Sequence, residues 1–543
     1  MNLFMALSIF RMVVLPVQFE DRELQTSRAQ QQLMLQQAQT YFDRQFASTG
    51  QTFRFELGPT VTLGHPVAWY GANHPDRKDF RLAEAVREAC LAANDKVNFS
   101  SFDSDNDGMV DNVVLLFPGP GEHSSDEEND IYPQQGLLSA DDAALALDGH
   151  IIDRYAVAPE GETGVFCHEF GHVLGLPDLY DTDGAESGGC TRELWGMSLM
   201  DLGCREADFP DFGALEYELL GLGSCEKLRT GSYTLRPLAA GQRYLRAEAD
   251  VEDEYFLFEA RAGGLYVYHI DRSDNPAGYS ARQQAELTAR ERWEAGEINN
   301  NPAHPCARLI PADPAATDAS GLPFGIDGAT SFGSDTPAAF RSWSGASTGF
   351  ALTGIRPAAD GAVTFDVIYP IFLGEPVVHQ DAALLSWTVD PALDDIQSYV
   401  VSWTDGGYTG RAELSANATT CTVEHLQPKT DYSYSVQARC AASGNFSADG
   451  HFTTKVIRKG TYPYIFLTGA TRNLDGSFPA GSKIPLRVYN APGALRVHWT
   501  LDGDPIAPDA DGYYTVRKSG TLRALIEYAD GTSETLLKEI KVQ

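Results

Sequence analysis

Basic residues are scarce in this chain of 543: 41 lysines and arginines face 75 aspartates and glutamates, a net charge of −34. Phosphate groups are met by cations, so nucleic acid and anionic membrane are excluded as main partners. The plain consequence of the acidity is solubility, with some carboxylates left over for cations. Long apolar runs are absent as well. No stretch approaches the ~20 residues of a membrane-crossing helix, and no transmembrane segment is expected. Met1–Phe10 is apolar but has no basic leader, full apolar core or cleavage site, and it passes straight into Arg11–Phe19, which reads as a core strand. No signal peptide is visible: either the chain starts downstream of one, or the protein is not exported by that route. Cysteine is sparse too. The eight residues at 90, 167, 190, 204, 225, 306, 421 and 440 show no C-x-x-C spacing, which excludes a disulfide scaffold. One or two disulfides among Cys190, Cys204 and Cys225 stand against buried free thiols, and spacing alone does not decide connectivity.

What is present is ample for several cores, since 43% of the residues are hydrophobic. At ~100–200 residues per domain the length predicts three or four domains. Residues 1–230 alternate strand-like and helix-like patterns, as an α/β domain does. Ser27–Phe46, rich in Gln, Ala and Leu, predicts a helix. Arg81–Val97 predicts a second, with Leu82, Ala85, Cys90 and Leu91 near one face. Val113–Phe117 is unbroken in apolarity, as a strand buried on both faces would be. A third helix is expected around Gly164–Leu174, followed by a loop-rich segment. Residues 231–370 change to short strands such as Tyr255–Glu259 and Gly264–His269, which predicts a β-sandwich, with a short surface helix in Ala281–Glu297.

Residues 371–456 look like a fibronectin type III module. Leu385-Ser386-Trp387, Tyr399–Trp403 and the alternation Tyr432-x-Tyr434-x-Val436-x-Ala438 are the pattern of half-buried sandwich strands. Residues 457–543 predict an immunoglobulin-like sandwich with Asp-Gly turns at 502–503 and 511–512. The lone histidines His379, His425, His451 and His498 read as surface or strand residues. No catalytic cluster is visible in these two C-terminal segments, which are expected to bind glycan, protein or cell surface, or to act as spacers.

The segment Cys167–Asp178 concentrates the chemistry. His168 and His172 stand four apart, so on a helix both imidazoles share one face, as two nitrogen ligands of a tetrahedral zinc would. Glu169 sits where a general base for zinc-activated water belongs. Gly175 suits a left-handed turn that ends the helix and swings Asp178 back as third ligand. Asp181, Glu186 and Glu193 are alternatives for that third position. An open fourth position marks a catalytic rather than a structural zinc site. No oxyanion donor stands out; Tyr180 is one candidate, with a packing role equally open. Upstream, Asp103, Asp105, Asp107 and Asp111, with Met109 supplying a carbonyl and Gly108 at the sixth position, match three-quarters of an EF-hand calcium loop. The bidentate glutamate at position 12 is missing: Val114 stands there inside a strand. An acidic Asp-Gly turn is the competing reading.

The run His168–Asp181 resembles the signature of the immune inhibitor A-type secreted bacterial zinc metallopeptidases. The likeness extends to Tyr70-Gly71 and Asp153–Glu160, then through Trp195, Leu199-Met200-Asp201, Gly203, Pro210, Glu216 and Leu220-Gly221 to Tyr255–Glu259 and Tyr268–Asp271. It thus covers roughly 10–370. The resemblance implies an α/β zincin, metzincin-like catalytic domain, and the strand patterns predict three all-β sandwich domains after it, at 231–370, 371–456 and 457–543. It implies zinc on His168, His172 and Asp178, catalysis by Glu169, a methionine turn at Met200 (with Met197 close by) and an extracellular or cell-surface location. A comparable loop in that family favours structural calcium. The expected function is therefore a secreted, monomeric zinc endopeptidase acting on protein or peptide substrates. An adhesive protein with a weakly active or inactive peptidase domain is the alternative, against which the intact Glu169 speaks.

Overall fold

The computed structural model describes residues 9–543 except 76, 126, 190–191, 262, 391–392, 394, 442–444, 456–462, 466, 468–471, 474–475, 492 and 530. The chain divides into two compact units. One comprises Met1–Phe332, Ser342–Gly345 and Leu352–Val367; the other comprises Gly333–Arg341, Ala346–Ala351 and Ile368–Gln543. Cys190, one of the disulfide candidates, lies outside the described residues, as does most of the apolar start at 1–8. The other seven cysteines, Cys204 and Cys225 among them, are free thiols.

In the first unit strands and helices alternate: β1 (Ile9–Gln18), α1 (Arg28–Gln45), β2 (Thr52–Leu57), β3 (Val61–Thr62), α2 (Val67–Tyr70), α3 (Leu82–Ala93), β4 (Val113–Phe117), α4 (Glu122–Ser125), β5 (Gln134–Leu137), the hairpin β6 (Leu145–Leu147) and β7 (His150–Ile152), β8 (Arg154–Pro159) and α5 (Thr163–Val173). The main sheet runs β2-β1-β4-β8-β5, with β3 also on β1. All its pairs are parallel except β5 on β8. Every residue of β4 is buried, as its unbroken apolarity requires of a central strand covered on both faces. The antiparallel β5 closes the sheet as its edge.

Local signals account for the helices. Ser27 caps α1 through a capping box with Gln30, which supplies partners to backbone N–H groups the first turn leaves open. In α3, Leu82, Ala85 and Cys90 are buried as expected, whereas Leu91 is exposed because it falls one residue off the apolar stripe. Phe170 of α5 is the centre of an aromatic cluster. Its ring stands edge-on to Phe42 at 4.6 Å, Phe55 at 5.1 Å and Phe53 at 5.6 Å, with Phe10 at 6.1 Å. These rings come from α1, β2 and β1, so one residue inside the histidine motif ties that helix to the sheet.

Downstream, the same unit holds a five-stranded sheet around Glu254–Arg261 and Gly264–Asp271 and a three-stranded sheet around Val363–Ile368. Ala281–Glu297 is not the surface helix its charges suggested. Ala285–Thr288 is a strand paired with Pro276–Ser280, and only Ala289–Ala295 is helical. Arg292 on that helix is fully buried, because its guanidinium donates to the carbonyls of Ala277, Gly278 and Tyr279. In the second unit, Asp431–Cys440 buries Tyr432, Tyr434, Val436 and Ala438 in alternation, and the Tyr432 hydroxyl accepts from Gln427 N at 2.9 Å, in the manner of a sandwich tyrosine corner. A further four-stranded sheet with Ala494–Leu501 and Gly520–Tyr528 at its centre follows.

One buried acid braces the edge strand. Asp79 accepts from Tyr132 N at 2.8 Å and from Gln134 Nε2 at 2.7 Å, while its other oxygen has no partner among the described residues. Burial above all, with Glu122 nearby, pushes its carboxyl up to about 8 against the pull of those two donors. The folded state thus holds this proton up to about pH 8, whereas an unfolded aspartate releases it near its ordinary value. The contribution is fully present below about pH 4 and is lost as pH rises toward 8. Asp79→Asn is expected to flatten the dependence of melting temperature on pH between 4 and 8, measured by thermal unfolding against the unaltered chain.

Candidate active site

The helix that carries the motif ends in a Schellman turn. Gly175 lies at φ +99, Gly175 N donates to His172 O at 2.9 Å and Leu176 N to Gly171 O at 3.0 Å. Glycine reaches this backbone without the clash a Cβ would bring. The turn has a chemical consequence: it brings the carbonyl of Leu176 onto His172 Nδ1 at 2.8 Å. His168 is treated alike by Leu199 O, at 2.9 Å from its Nδ1. A carbonyl only accepts, so both Nδ1 atoms carry a proton, and both Nε2 atoms are turned to the other side.

Both Nε2 atoms converge on Asp178. Its Oδ1 lies 3.1 Å from His168 Nε2 and 3.2 Å from His172 Nε2. One ligand atom from each of the three residues falls within a 4.8 Å span. For bonds of ~2.1 Å, the edge of a tetrahedral zinc shell is about 3.4 Å, so Asp178 Oδ1, at 3.1 and 3.2 Å from the two nitrogens, needs only a slight outward shift for this donor set to fit the metal. The donor chemistry fits as well: two neutral imidazoles oriented from behind by carbonyls, and one carboxylate. Burial acts to raise the Asp178 carboxyl, but the two imidazoles outweigh it and hold it well below the usual range. Of the alternative carboxylates, Asp181 is engaged by Asp183 N and Gly184 N, and Glu186 is exposed.

Glu169 is 5% exposed on the same helix. Burial raises its carboxyl, with His168 and His172 pulling the other way. Met200 is fully buried beneath the helix, whereas Met197 is only partly buried and gives its carbonyl to Arg261 at 2.9 Å. Met200 is held in turn: its N donates to Ser198 Oγ at 3.0 Å, and Ser198 Oγ donates to Glu216, a buried acid at the start of helix Ala214–Leu220. Glu216 therefore supports the Leu199 carbonyl that orients His168.

Beside Glu169 opens a small cleft. Sequence reasoning missed several residues of its wall: His123, Tyr132, Asp201 and Cys204. None stands at a readable spacing from the motif; they come from α4, the approach to β5 and the turn after Met200. Tyr180 does line the cleft, together with Tyr132. In the acidic loop, Asp103, Asp105 and Asp111 bring oxygens within 4.8 Å of one another. The Asp107 carboxylate lies outside that set and accepts from Met109 N at 2.7 Å.

Residues 127–208 match the family model described as the immune inhibitor A peptidase M6 catalytic domain, and 377–453 match the fibronectin type III domain. The chain carries an immune inhibitor A-type peptidase domain and a fibronectin type III domain. It is 27% identical over 176 residues to the pre-pro-metalloprotease PrtV of Vibrio cholerae, covering 25% of this chain and 19% of that protein. Immune inhibitor A of Bacillus thuringiensis is 27% identical over 154 residues, covering 23% and 22%. The chain thus spans about a fifth of the length of these curated relatives. The solved fibronectin type III domain of human collagen alpha-1(XX) aligns at 24% identity, with 17% of this chain, 84% of that chain and a TM-score of 0.15.

Gly171 tests the support beneath the helix. A Cβ there would sit 2.5 Å from Met200 Sδ, so Gly171→Ala must displace that side chain, whose own residue follows the Leu199 carbonyl. Zinc affinity, measured by competition with a chromogenic chelator, is expected to fall about 10–100-fold.

Proposed function

We propose that this chain is a zinc-dependent endopeptidase, with His168, His172 and Asp178 as metal ligands and Glu169 as general base. The observation that carries the reading is the pair of Nδ1-anchored imidazoles turned onto one carboxylate, with a buried glutamate beside them. The peptidase family match over 127–208, which contains all four residues, supports it. Bound at these ligands, zinc supplies a Lewis acid that brings the pKa of water to about 7.

The chain's own residues do the rest. Glu169, kept from full solvation by burial, takes a proton from the attacking water and passes it to the departing nitrogen. The free edge of β5, Gln134–Leu137, offers backbone groups to an extended peptide, which an endopeptidase needs to hold its substrate on both sides of the cut. Met200 and Gly175 position the ligands and take no part in the chemistry. Extracellular or cell-surface action, a monomeric state, glycan or protein binding by the C-terminal β segments, and boundaries near 230, 370 and 456 belong to the same proposal. So does a metzincin-like fold for the first segment with sandwiches after it.

Glu169→Gln tests the central claim. It is expected to keep zinc content and fold while losing about 10²–10⁴ in kcat on casein-derived peptides, and a chelator should abolish turnover in the unaltered chain. Unchanged turnover by Glu169→Gln would rule out the assigned role.

Calcium at Asp103, Asp105, Asp111 and the Met109 carbonyl is a separable part of the proposal. Burial first, then the charges of Asp105 and Asp103, push Asp111 up to about 6, a repulsion that a divalent cation would relieve. Millimolar calcium is expected to raise the melting temperature of the unaltered chain by several degrees and that of Asp111→Asn by none.

A further inference from the structure

We infer that Asn299 and Asn300 form a clasp that positions Asp178 for the metal, a role that rests on the reading of Asp178 as a ligand. They belong to the run Asn299-Asn300-Asn301, in the loop between helix Ala289–Ala295 and strand Ala307–Leu309. That loop lies outside the segment 127–208 that matches the peptidase family model. Asn299 is 1% exposed, Asn300 is fully buried and Asn301 is 9% exposed. Buried amides are costly unless they are paired, so three in a row must each have a backbone to hold.

Asn299 Nδ2 donates to Leu179 O at 2.8 Å and to Ala307 O at 2.7 Å, while its Oδ1 accepts from Ala307 N at 3.0 Å. Two carbonyls at one end of the amide and an N–H at the other decide which end is nitrogen. Ala307 opens the edge strand of the five-stranded sheet and pairs with Ile270. Asn299 therefore ties Leu179, the residue after Asp178, to a sheet 120 residues away in the chain. Asn300 Oδ1 accepts from Thr182 N at 3.0 Å, a second grip on the same loop. Asn301 turns elsewhere: its Nδ2 donates to Ala277 O at 2.8 Å and its Oδ1 accepts from Ala303 N at 3.0 Å.

Asp178 needs such a hold because it lies in a loop, outside any helix or strand. Upstream, the turn at Gly175 and the fixed φ of Pro177 limit the backbone. Downstream, Leu179 N donates to Met200 O at 2.8 Å, and Leu179 O takes the Asn299 amide. Peptide units are planar, so those two bonds fix the planes on both sides of Leu179 and with them the direction of the chain at Asp178. Met200 O belongs to the turn whose Leu199 carbonyl holds His168, so two of the three ligands share one reference point. Without Asn299 the buried Leu179 carbonyl loses its partner, and the loop must shift to satisfy it. That shift carries Asp178 away from the imidazoles. Asn299 and Asn300 act through the backbone and are positioning residues.

Zinc binding by the full-length chain, measured by competition with a chromogenic chelator, tests the clasp without any need for turnover. Asn299→Ala should lose about 10–100-fold in zinc affinity, and Asn300→Ala about tenfold. Asn301→Ala removes buried amide bonds from the same loop but none to the Asp178 segment, and should bind zinc within about twofold of the unaltered chain. With cobalt(II) in place of zinc, the visible absorption reports coordination geometry and should change in Asn299→Ala but not in Asn301→Ala. If Asn299→Ala does not fold, Asn300→Ala against Asn301→Ala decides. Unchanged affinity in Asn299→Ala, or in Asn300→Ala where it stands alone, overturns the inference, as does an equal loss in all three; the peptidase reading then still stands. Absence of zinc binding by the unaltered chain overturns both.

Discussion

His168 and His172 each commit Nδ1 to a backbone carbonyl, Leu199 in one case and Leu176 in the other. A neutral imidazole has one acceptor nitrogen, so those two bonds decide that Nε2 faces the cleft. Without them either ring could turn, and the convergence on Asp178 would be lost. Each bond has a structural cause. The Leu176 carbonyl is aimed by the Schellman turn at Gly175, and the Leu199 carbonyl by a buried relay from Glu216 through Ser198 to the Met200 backbone. The methionine is part of this relay by packing: its sulfur occupies the space left open by Gly171.

The electrostatics follow from where the charges are buried. Asp178 sits between two imidazoles, so its ionised form is favoured despite burial. Glu169 has no such direct partner among the described residues, and burial moves it the other way. Two carboxylates on the same short stretch are thereby pushed apart, one toward permanent ligand and the other toward a group that can exchange a proton. Phe170, between Glu169 and Gly171, points to the opposite side of the helix, into Phe42, Phe53 and Phe55. The helix therefore presents its chemistry on one face and its anchorage on the other.

Periodicity and local chemistry made much of this legible. Ser27 with Gln30, the unbroken Val113–Phe117, the alternation from Tyr432 to Ala438 and the glycine at 175 each carry a physical signal within a few residues. The errors have an equally local cause. Leu91 is apolar but one position off its stripe, and the charged run at Ala281–Glu297 conceals a buried arginine whose partners are carbonyls on a neighbouring strand. Charge in a sequence reads as exposure unless the partner is known, and here the partner is backbone.

The sequence by itself determined the shared face of His168 and His172, the helix stop behind them and the carboxylate waiting three residues past that stop, because a helix and its cap are set by contacts within one or two turns. Tertiary structure alone decided which carbonyls hold the rings, which methionine lies beneath them and that His123 and Tyr132 stand at the same cleft. Those contacts join residues tens of positions apart, and no spacing rule connects them. Long-range packing of α4, β5 and the turn at Met200 around one helix is what turns a short ligand motif into a walled site.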